Sequence, residues 1–261
     1  MSRLTATKRH LIRDFGTCLS FNGSSDFVNI GTLGAFVPTL SAGTVTISTW
    51  FKIIDNGARQ VVCGEVNTGT SIILQLFLNS NNTGAAYSKG LIFFQTRDTT
   101  GKSHNFGITT AYSFNDNRWH HIAIVVTPST NTGLIYLDGV SQTVANQQSD
   151  TPNSFATLEF ALYLGGRNLR GALDMQFKGL LDETRLYQSG LTATQIADMY
   201  YTGIGDPTKF SWYKFDEGSG TSATDSGSGG NTGTITGATY STDVFMKARS
   251  IATNRIYIGD L

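Results

Sequence analysis

Apolar and polar residues alternate along Thr44–Lys52. Val45, Ile47, Thr49 and Phe51 fall on one face, and Thr46, Ser48, Trp50 and Lys52 on the other. A period of two predicts a strand. Two further apolar runs, Ser71–Leu78 (SIILQLFL) and Gly90–Thr96 (GLIFFQT), are joined by the polar stretch NSNNTGAAYSK. Trp119–Thr127 (WHHIAIVVT) is apolar on both faces, as a central strand covered on both sides would be. Gly133–Leu137 runs into Asp138-Gly139 and then Val140, and an Asp-Gly pair between apolar runs predicts a tight hairpin. Phe160–Leu164 and Phe177–Tyr187 read as two more strands. Many short strands at this spacing predict a sandwich or jelly roll.

One helix stands out. Thr192-Ala193-Thr194-Gln195 has the T-x-x-Q form of a capping box, Ile196, Met199 and Tyr200 share one face, and Gly203 closes it. So short a helix needs a docking surface to be stable. Thr221–Thr236 (TSATDSGSGGNTGTIT) has a linker's composition, but strand-like segments flank it, Phe210–Phe215 before and Thr239–Phe245 after. It is expected to be a long loop inside the domain.

Composition narrows the class. Of 261 residues 29 are Gly, and 15 % are charged, against roughly 25 % charged in a typical soluble domain. That excludes a coiled coil, and aromatics at 11 % exclude a disordered chain. Lys plus Arg and Asp plus Glu each number 19, so the formal net charge is zero and a general nucleic-acid binder is not expected. No apolar run reaches the roughly 18 residues of a membrane span. The length suits one β domain of about 200–250 residues with short additions. Two cysteines, Cys18 and Cys63, fit a reduced protein, with their pairing left open. Met1–Asp14 lacks the apolar stretch of a secretory signal, so synthesis in the cytoplasm is expected. Arg3, Lys8, Arg9 and Arg13 precede the first acid, Asp14, and such a basic arm suits contact with other protein subunits.

The segments FNGSSDFVNIG (Phe21–Gly31), TVTISTWFK (Thr44–Lys52), WHHIAIVV (Trp119–Val126), IYLDGV (Ile135–Val140), LYLGG (Leu162–Gly166) and FKGLLDETRLYQSGLTATQI (Phe177–Ile196) resemble the laminin-G-like jelly roll of the concanavalin-A-like lectin/glucanase superfamily. The resemblance implies an all-β, two-sheet antiparallel sandwich with one short helix. It gives residues 1–14 as an arm, 15–245 as the jelly roll and 246–261 as a C-terminal extension. Trp212–Tyr240 (WYKFDEGSGTSATDSGSGGNTGTITGATY) is similar to the segment that opens such domains, yet here it follows the helix. Residues 211–245 are therefore expected to complete the sheet, either in the same chain, as a permuted domain, or in a neighbouring subunit. Phe245–Gly259 faintly repeats Phe15–Gly31.

The fold hosts lectins, adhesins and hydrolases, so activity must be read from residues. Glucanases of this superfamily need two carboxylates about 5–5.5 Å apart in the retaining case. The four Glu here, Glu65, Glu159, Glu183 and Glu217, form no such cluster, and no enzyme is expected. Asp182 and Glu183 are adjacent, so strand alternation should separate them, with Asp182 structural and Glu183 solvated. His120 and His121 should also face opposite sides and not chelate together. The resemblance implies one calcium ion held by Asp182 and Asp216 with a carbonyl near Asn22 or Gly23. It also assigns Trp50, Trp119 and Trp212 to the core, leaving Tyr87, Tyr112 and Tyr163 as candidates to stack on a sugar. The favoured expectation is a non-enzymatic module on a larger assembly, a phage virion protein of capsid, tail or fibre with adhesion to host surface glycans. The alternative is a calcium-dependent lectin or bacterial adhesin at the cell surface or outside the cell.

Overall fold

A computed structural model describes residues 16–33, 43–66, 73–81, 86–97, 103–127, 130–146, 161–203 and 208–244. Arg3, Lys8, Arg9, Arg13, Phe160 and the extension 246–261 lie outside them. Strands are numbered in chain order. The first sheet holds β1 (Cys18–Asn22), β3 (Val45–Ile53), β8 (His120–Thr127), β9 (Thr132–Leu137), β10 (Val140–Ser141), β15 (Lys178–Tyr187), β16 (Lys209–Tyr213) and β19 (Thr239–Ser241). Its order is β10-β9-β8-β3-β15-β1-β19, and β16 also pairs with β15. The second sheet holds β2 (Phe27–Asn29), β4 (Gln60–Val66), β5 (Ile73–Ser80), β6 (Tyr87–Arg97), β7 (Ser103–Ile108), β11 (Val144–Asn146), β12 (Tyr163–Leu164), β17 (Ser222–Ala223) and β18 (Gly233–Thr236). Its order is β11-β7-β6-β5-β4-β12-β2-β18-β17, with the hairpin of β13 (Arg167–Leu169) and β14 (Ala172–Asp174) attached to β4. Pairing is antiparallel throughout except between β13 and β4. One core joins the two sheets, and Leu19, Phe51, Leu76, Phe94, Ile124 and Leu181 are among its fully buried side chains.

β8 is buried on both faces, as its apolar run predicts. β3 is too, although its pattern predicts one polar face. The reason is the helix, α1 (Ala193–Thr202), whose Ile196 and Met199 pack with Ala123, Val125, Tyr136, Tyr187 and Leu191 on that side of the sheet. Thr46 and Ser48 stay compatible with burial by bonding there. Thr46 Oγ1 donates to Ser189 O (2.8 Å) and accepts from Leu191 N (3.0 Å). The capping box forms as expected, and Gly203 at φ +63 donates its N–H to Met199 O. Asp138 (φ +50) and Gly139 (φ +78) make the predicted hairpin turn, both residues in the left-handed region that a type I′ turn requires.

The stretch 221–236 differs from expectation. It is not one long loop but carries β17 and β18, and β18 pairs with β2 through Ile235 opposite Val28. Asp225 organises the rest. Its Oδ1 accepts from Trp212 N and Gly227 N, and its Oδ2 from Asn231 N, all at 2.8 Å. Composition alone cannot separate such packed turns from a linker. The late segment thus pairs within this chain at three places: β16 on β15, β18 on β2 and β19 on β1. Cys18 and Cys63 are buried free thiols, one in each sheet.

Gly179 in β15 has φ +142, and a Cβ there would stand 2.1 Å from the Lys52 carbonyl oxygen. Gly179→Ala is expected to lower unfolding free energy by about 2–3 kcal/mol. Guanidinium denaturation checks this as a lower midpoint at unchanged slope.

Candidate functional site

β15 is irregular at its middle. Its register against β3 shifts between Asp182 and Arg185, and Glu183 lies at φ +50. A residue in that conformation breaks strand alternation. Glu183 is therefore not solvated, contrary to the sequence expectation. It is 3 % exposed, accepts from Trp212 Nε1 at 2.8 Å and pairs with the fully buried Arg185. Arg185 also donates to Gly203 O at 2.7 Å. β1 and β16 meet β15 end to end on either side of this bulge: Leu19 pairs with Leu181, and Tyr213 with Thr184.

Asp182 sits in the gap. It is buried, its Oδ1 accepts from Glu183 N at 2.8 Å, and its Oδ2 has no hydrogen-bond partner. Burial above all, and then the Glu183 charge, raise its pKa well above the usual carboxylate range. Asp216 follows β16 and adjoins the same gap, close enough to Asp182 to add to that upward shift. It accepts weakly from Thr17 N (3.4 Å), beside Gly16. The Asp216 charge thus acts on Asp182 across the gap, but Asn22 and Gly23 do not join them. Asn22 pairs with Lys178 at the far end of β1, where its Oδ1 caps the turn at Ser24 and Ser25. Among the described residues no group of three or more His, Cys, Asp or Glu could hold a metal ion.

A different cluster occupies one end of the sandwich. The 54–59 turn is fixed by buried Gln60, whose Nε2 donates to Ile54 O (2.9 Å) and Asn56 Oδ1 (3.0 Å). Asp55 accepts from Tyr87 OH (3.0 Å) and Lys89 Nζ (3.2 Å). Burial opposes its charge, but the Gly57 amide, Tyr87 and Lys89 outweigh that and lower its pKa. Tyr87 is held by its hydroxyl while its side chain stays 38 % exposed. On one side of this turn lies a hollow of about 260 Å³ lined by Asn56, Arg59, Asp174 and Gln176 among others. Lys89 enters a second, of about 410 Å³, with Tyr112, Ser113 and Asn115.

Behind the first hollow runs a polar ladder that the sequence did not signal. Asp174 pairs with Arg167, whose Nη1 donates to Gln75 Oε1 (3.0 Å), and Gln75 Nε2 donates to Gln95 Oε1 (3.1 Å). Gly64 permits this, since a Cβ there would lie 3.4 Å from the Arg167 Cα and 2.9 Å from Val61. Beside the second hollow, Asp138 accepts from Tyr112 OH (3.1 Å) and His121 N (2.8 Å). His120 touches Asp138 through Nδ1 (2.8 Å) and Asp116 through Nε2 (3.0 Å). His121 lies on the opposite face against Trp50 and Tyr200, as alternation predicts.

The remaining aromatic expectations divide. Trp50 is buried. Tyr200 of α1 stacks on Trp50, whereas Trp119 and Trp212 are only half-buried. Trp212 is nonetheless taken, with Lys209 and Lys214 ammonium groups 4.2 and 4.3 Å from its ring. Tyr163 is no loop platform, being buried and stacked on Phe27. Phe77 and Phe93, on the outer face of the second sheet, are buried as well.

Two antiparallel sheets packed over one core, with one helix on the outer face of the first, define a lectin-like β sandwich. The chain belongs to the concanavalin A-like lectin/glucanases superfamily, whose laminin-G-type model matches residues 22–197. The late segment 208–244 lies beyond that match. No curated protein matches the sequence. Among solved structures, a protein of Bacteroides ovatus ATCC 8483 is 19 % identical with a TM-score of 0.62, covering 88 % of this chain. This chain spans only 60 % of that protein. The CBM40 domain of the Ruminococcus gnavus IT-sialidase is 13 % identical (TM-score 0.54; 70 % of this chain, 96 % of that one). The heptameric SAP-like pentraxin of Limulus polyphemus is 12 % identical (TM-score 0.52; 73 % and 85 %). These likenesses are of fold.

Glu183→Gln would leave the buried Arg185 charge uncompensated. It is expected to destabilise the protein by about 3–5 kcal/mol, read as a lower midpoint in thermal or chemical unfolding.

Proposed function

We propose that this protein is a non-enzymatic carbohydrate-binding module, and that the sugar docks at the end of the sandwich between the two hollows. The observation that carries this reading is Tyr87, exposed yet fixed by Asp55, which precedes Asn56 of the first hollow and pairs with Lys89 of the second. A sugar ring offers an apolar face to an aromatic side chain and hydroxyls to amides and carboxylates, so this mixture suits it. Both hollows are shallow and near or below the roughly 300–1,000 Å³ of drug-sized ligand pockets, which fits one or two sugar units. The CBM40 relative has been solved with alpha2,3 and alpha2,6 sialyllactose bound, which lends the reading support by analogy. The non-enzymatic part rests on the carboxylates. Glu65 is fully buried, Glu183 is paired with Arg185, and Glu217 accepts from Thr224 N and Tyr240 OH.

One calcium ion at Asp182 and Asp216 is part of the proposal. The partnerless buried Oδ2 of Asp182 beside Asp216 offers hard oxygens, with the remaining ligands to come from carbonyls or water. A second reading is a subunit of a larger particle, such as a phage virion, or of a cell surface. It is favoured by Leu134, Val140 and Tyr201, 40, 59 and 60 % exposed on β9, β10 and α1 at one edge of the first sheet. Light scattering that finds only monomer at working concentration counts against it.

Glycan-array screening followed by calorimetry is expected to find a sugar ligand. Tyr87→Ala should weaken it at least about tenfold, roughly 1.4 kcal/mol, with circular dichroism unchanged. Binding to no glycan, or equal binding by the variant, contradicts the proposal. Chelator is expected to lower the melting temperature, and an unchanged melting curve removes calcium.

A further inference from the structure

The turn Asp116-Asn117-Arg118 lies on the rim of the second hollow, directly after Asn115. Two anchors hold the chain before it without ionisable groups. Phe114 is fully buried against Phe51, and Asn115 exchanges amide hydrogen bonds with Asn79 at 2.8 and 2.9 Å. The turn itself is held differently. Asp116 Oδ1 accepts from Arg118 N at 3.0 Å and faces His120 Nε2 at 3.0 Å. The other ring nitrogen of His120 faces Asp138 Oδ2 at 2.8 Å.

An imidazole can donate from both nitrogens only when it is cationic. With a carboxylate at each nitrogen, the doubly protonated ring satisfies both contacts. Loss of one proton leaves a lone pair facing a carboxylate. The two carboxylates are unequal. Asp138 sits in the tight turn after β9 and also accepts from His121 N and Tyr112 OH, whereas Asp116 is the more exposed. The remaining ring proton therefore stays with Asp138, and Asp116 loses its hydrogen bond from the ring, which leaves a lone pair facing the oxygen that holds the Arg118 amide.

We infer that the 116–118 turn is a proton-operated staple on the rim of the second hollow, shut while His120 carries two N–H groups and released when it loses one. This stands whether or not the hollow takes a sugar. The groups around His120 agree. Asp116 and Arg118 face it from the turn, and Asp138 from the hairpin. Tyr112 adds a ring edge, and Phe51 of β3 is uncharged. Tyr200 of α1 approaches Gly139 and interacts with Asp138, and Lys89 of β6 lines the hollow beyond Tyr112. Burial disfavours the cation, but Asp138 and Asp116 outweigh it and raise the His120 pKa above 6.5. The Asp116 pKa is lowered despite burial, by His120 and the Arg118 amide. A raised histidine contributes stability that is full below its unfolded pKa and is lost as pH rises through the folded one. A lowered carboxyl contributes above its unfolded pKa and is lost as pH falls through the folded one. The staple is therefore shut below the ring's folded pKa, which lies above that of an ordinary histidine, and opens as pH rises through it.

Hydrogen exchange of the Arg118 amide in the full chain, corrected for intrinsic rates, tests this alongside NMR titration of the His120 ring. Protection is expected to fall about tenfold as the ring deprotonates, while amides in the middle of β8 keep theirs. In His120→Gln the side chain facing Asp116 does not titrate, so the step should vanish. Protection that stays flat through the ring's titration overturns the inference, as does a step of equal size in His120→Gln. If that variant does not fold, the wild-type comparison of ring titration with Arg118 protection still decides.

Discussion

At Glu183 the edge of β15 changes partner, and much of the molecule depends on that change. A regular strand would give one neighbour the whole edge. The bulge instead lets β1 take residues 178–181 and β16 take 184–187. A positive φ on glutamate is unfavourable by itself. It persists because the carboxylate it turns inward meets Arg185 and the Trp212 indole, and Arg185 in turn holds the carbonyl of Gly203 at the end of α1. One ion pair thus ties together the bulge, the helix end and the returning strand. A buried pair of this kind adds little net stability but is costly to break, so it acts mainly as a fixed joint.

From that joint the late segment covers edges that would otherwise stand open. β19 adds to β1, and β18 adds to β2 on the opposite sheet. The core requires the segment, since Tyr213, Phe215 and Ile235 are buried within it. The family match ends at residue 197, yet the sandwich closes only with residues 208–244. Asp243 of the late segment also reaches Lys52 and the Trp119 indole, beside the turns at the far end. There Asn56, Tyr87, Lys89 and Asn115 are set by short side-chain bonds, which is how a rigid sandwich presents a polar and aromatic surface.

Much of the fold was legible in the sequence. The alternation of β3, the doubly apolar β8, the Asp138-Gly139 turn and the Thr192–Gln195 box each rest on local geometry, and each stands where expected. What was not legible depends on contacts distant in sequence. The polar face of β3 is buried because α1 lies on it. Glu183 turns inward because two strands share an edge, which no local pattern reports. Residues 221–236 read as a loop because Gly, Ser and Thr serve packed turns and linkers alike. For the site, two of three candidate tyrosines, Tyr87 and Tyr112, come to one end, while Tyr163 is stacked out of reach on Phe27. Asp182 and Asp216 act on each other electrostatically, but Asn22 does not join them, since register places it at the other end of β1. The Arg167 ladder depends on Gly64 leaving room, a signal that a sequence shows only as one glycine among 29.

Closure by the late segment within one chain is tested most directly by a cross-link between β1 and β19. Ser20 and Thr239 are register partners on accessible positions, and antiparallel partners stand about 4.5–5.5 Å apart at Cα, inside the range a disulfide spans. Cys18 and Cys63 would not compete, because burial raises both thiol pKa values to about 12. Oxidation of the double variant Ser20→Cys/Thr239→Cys should give a cross-linked monomer on a non-reducing gel. Cross-linked dimers instead would mean that the segment closes a neighbouring chain.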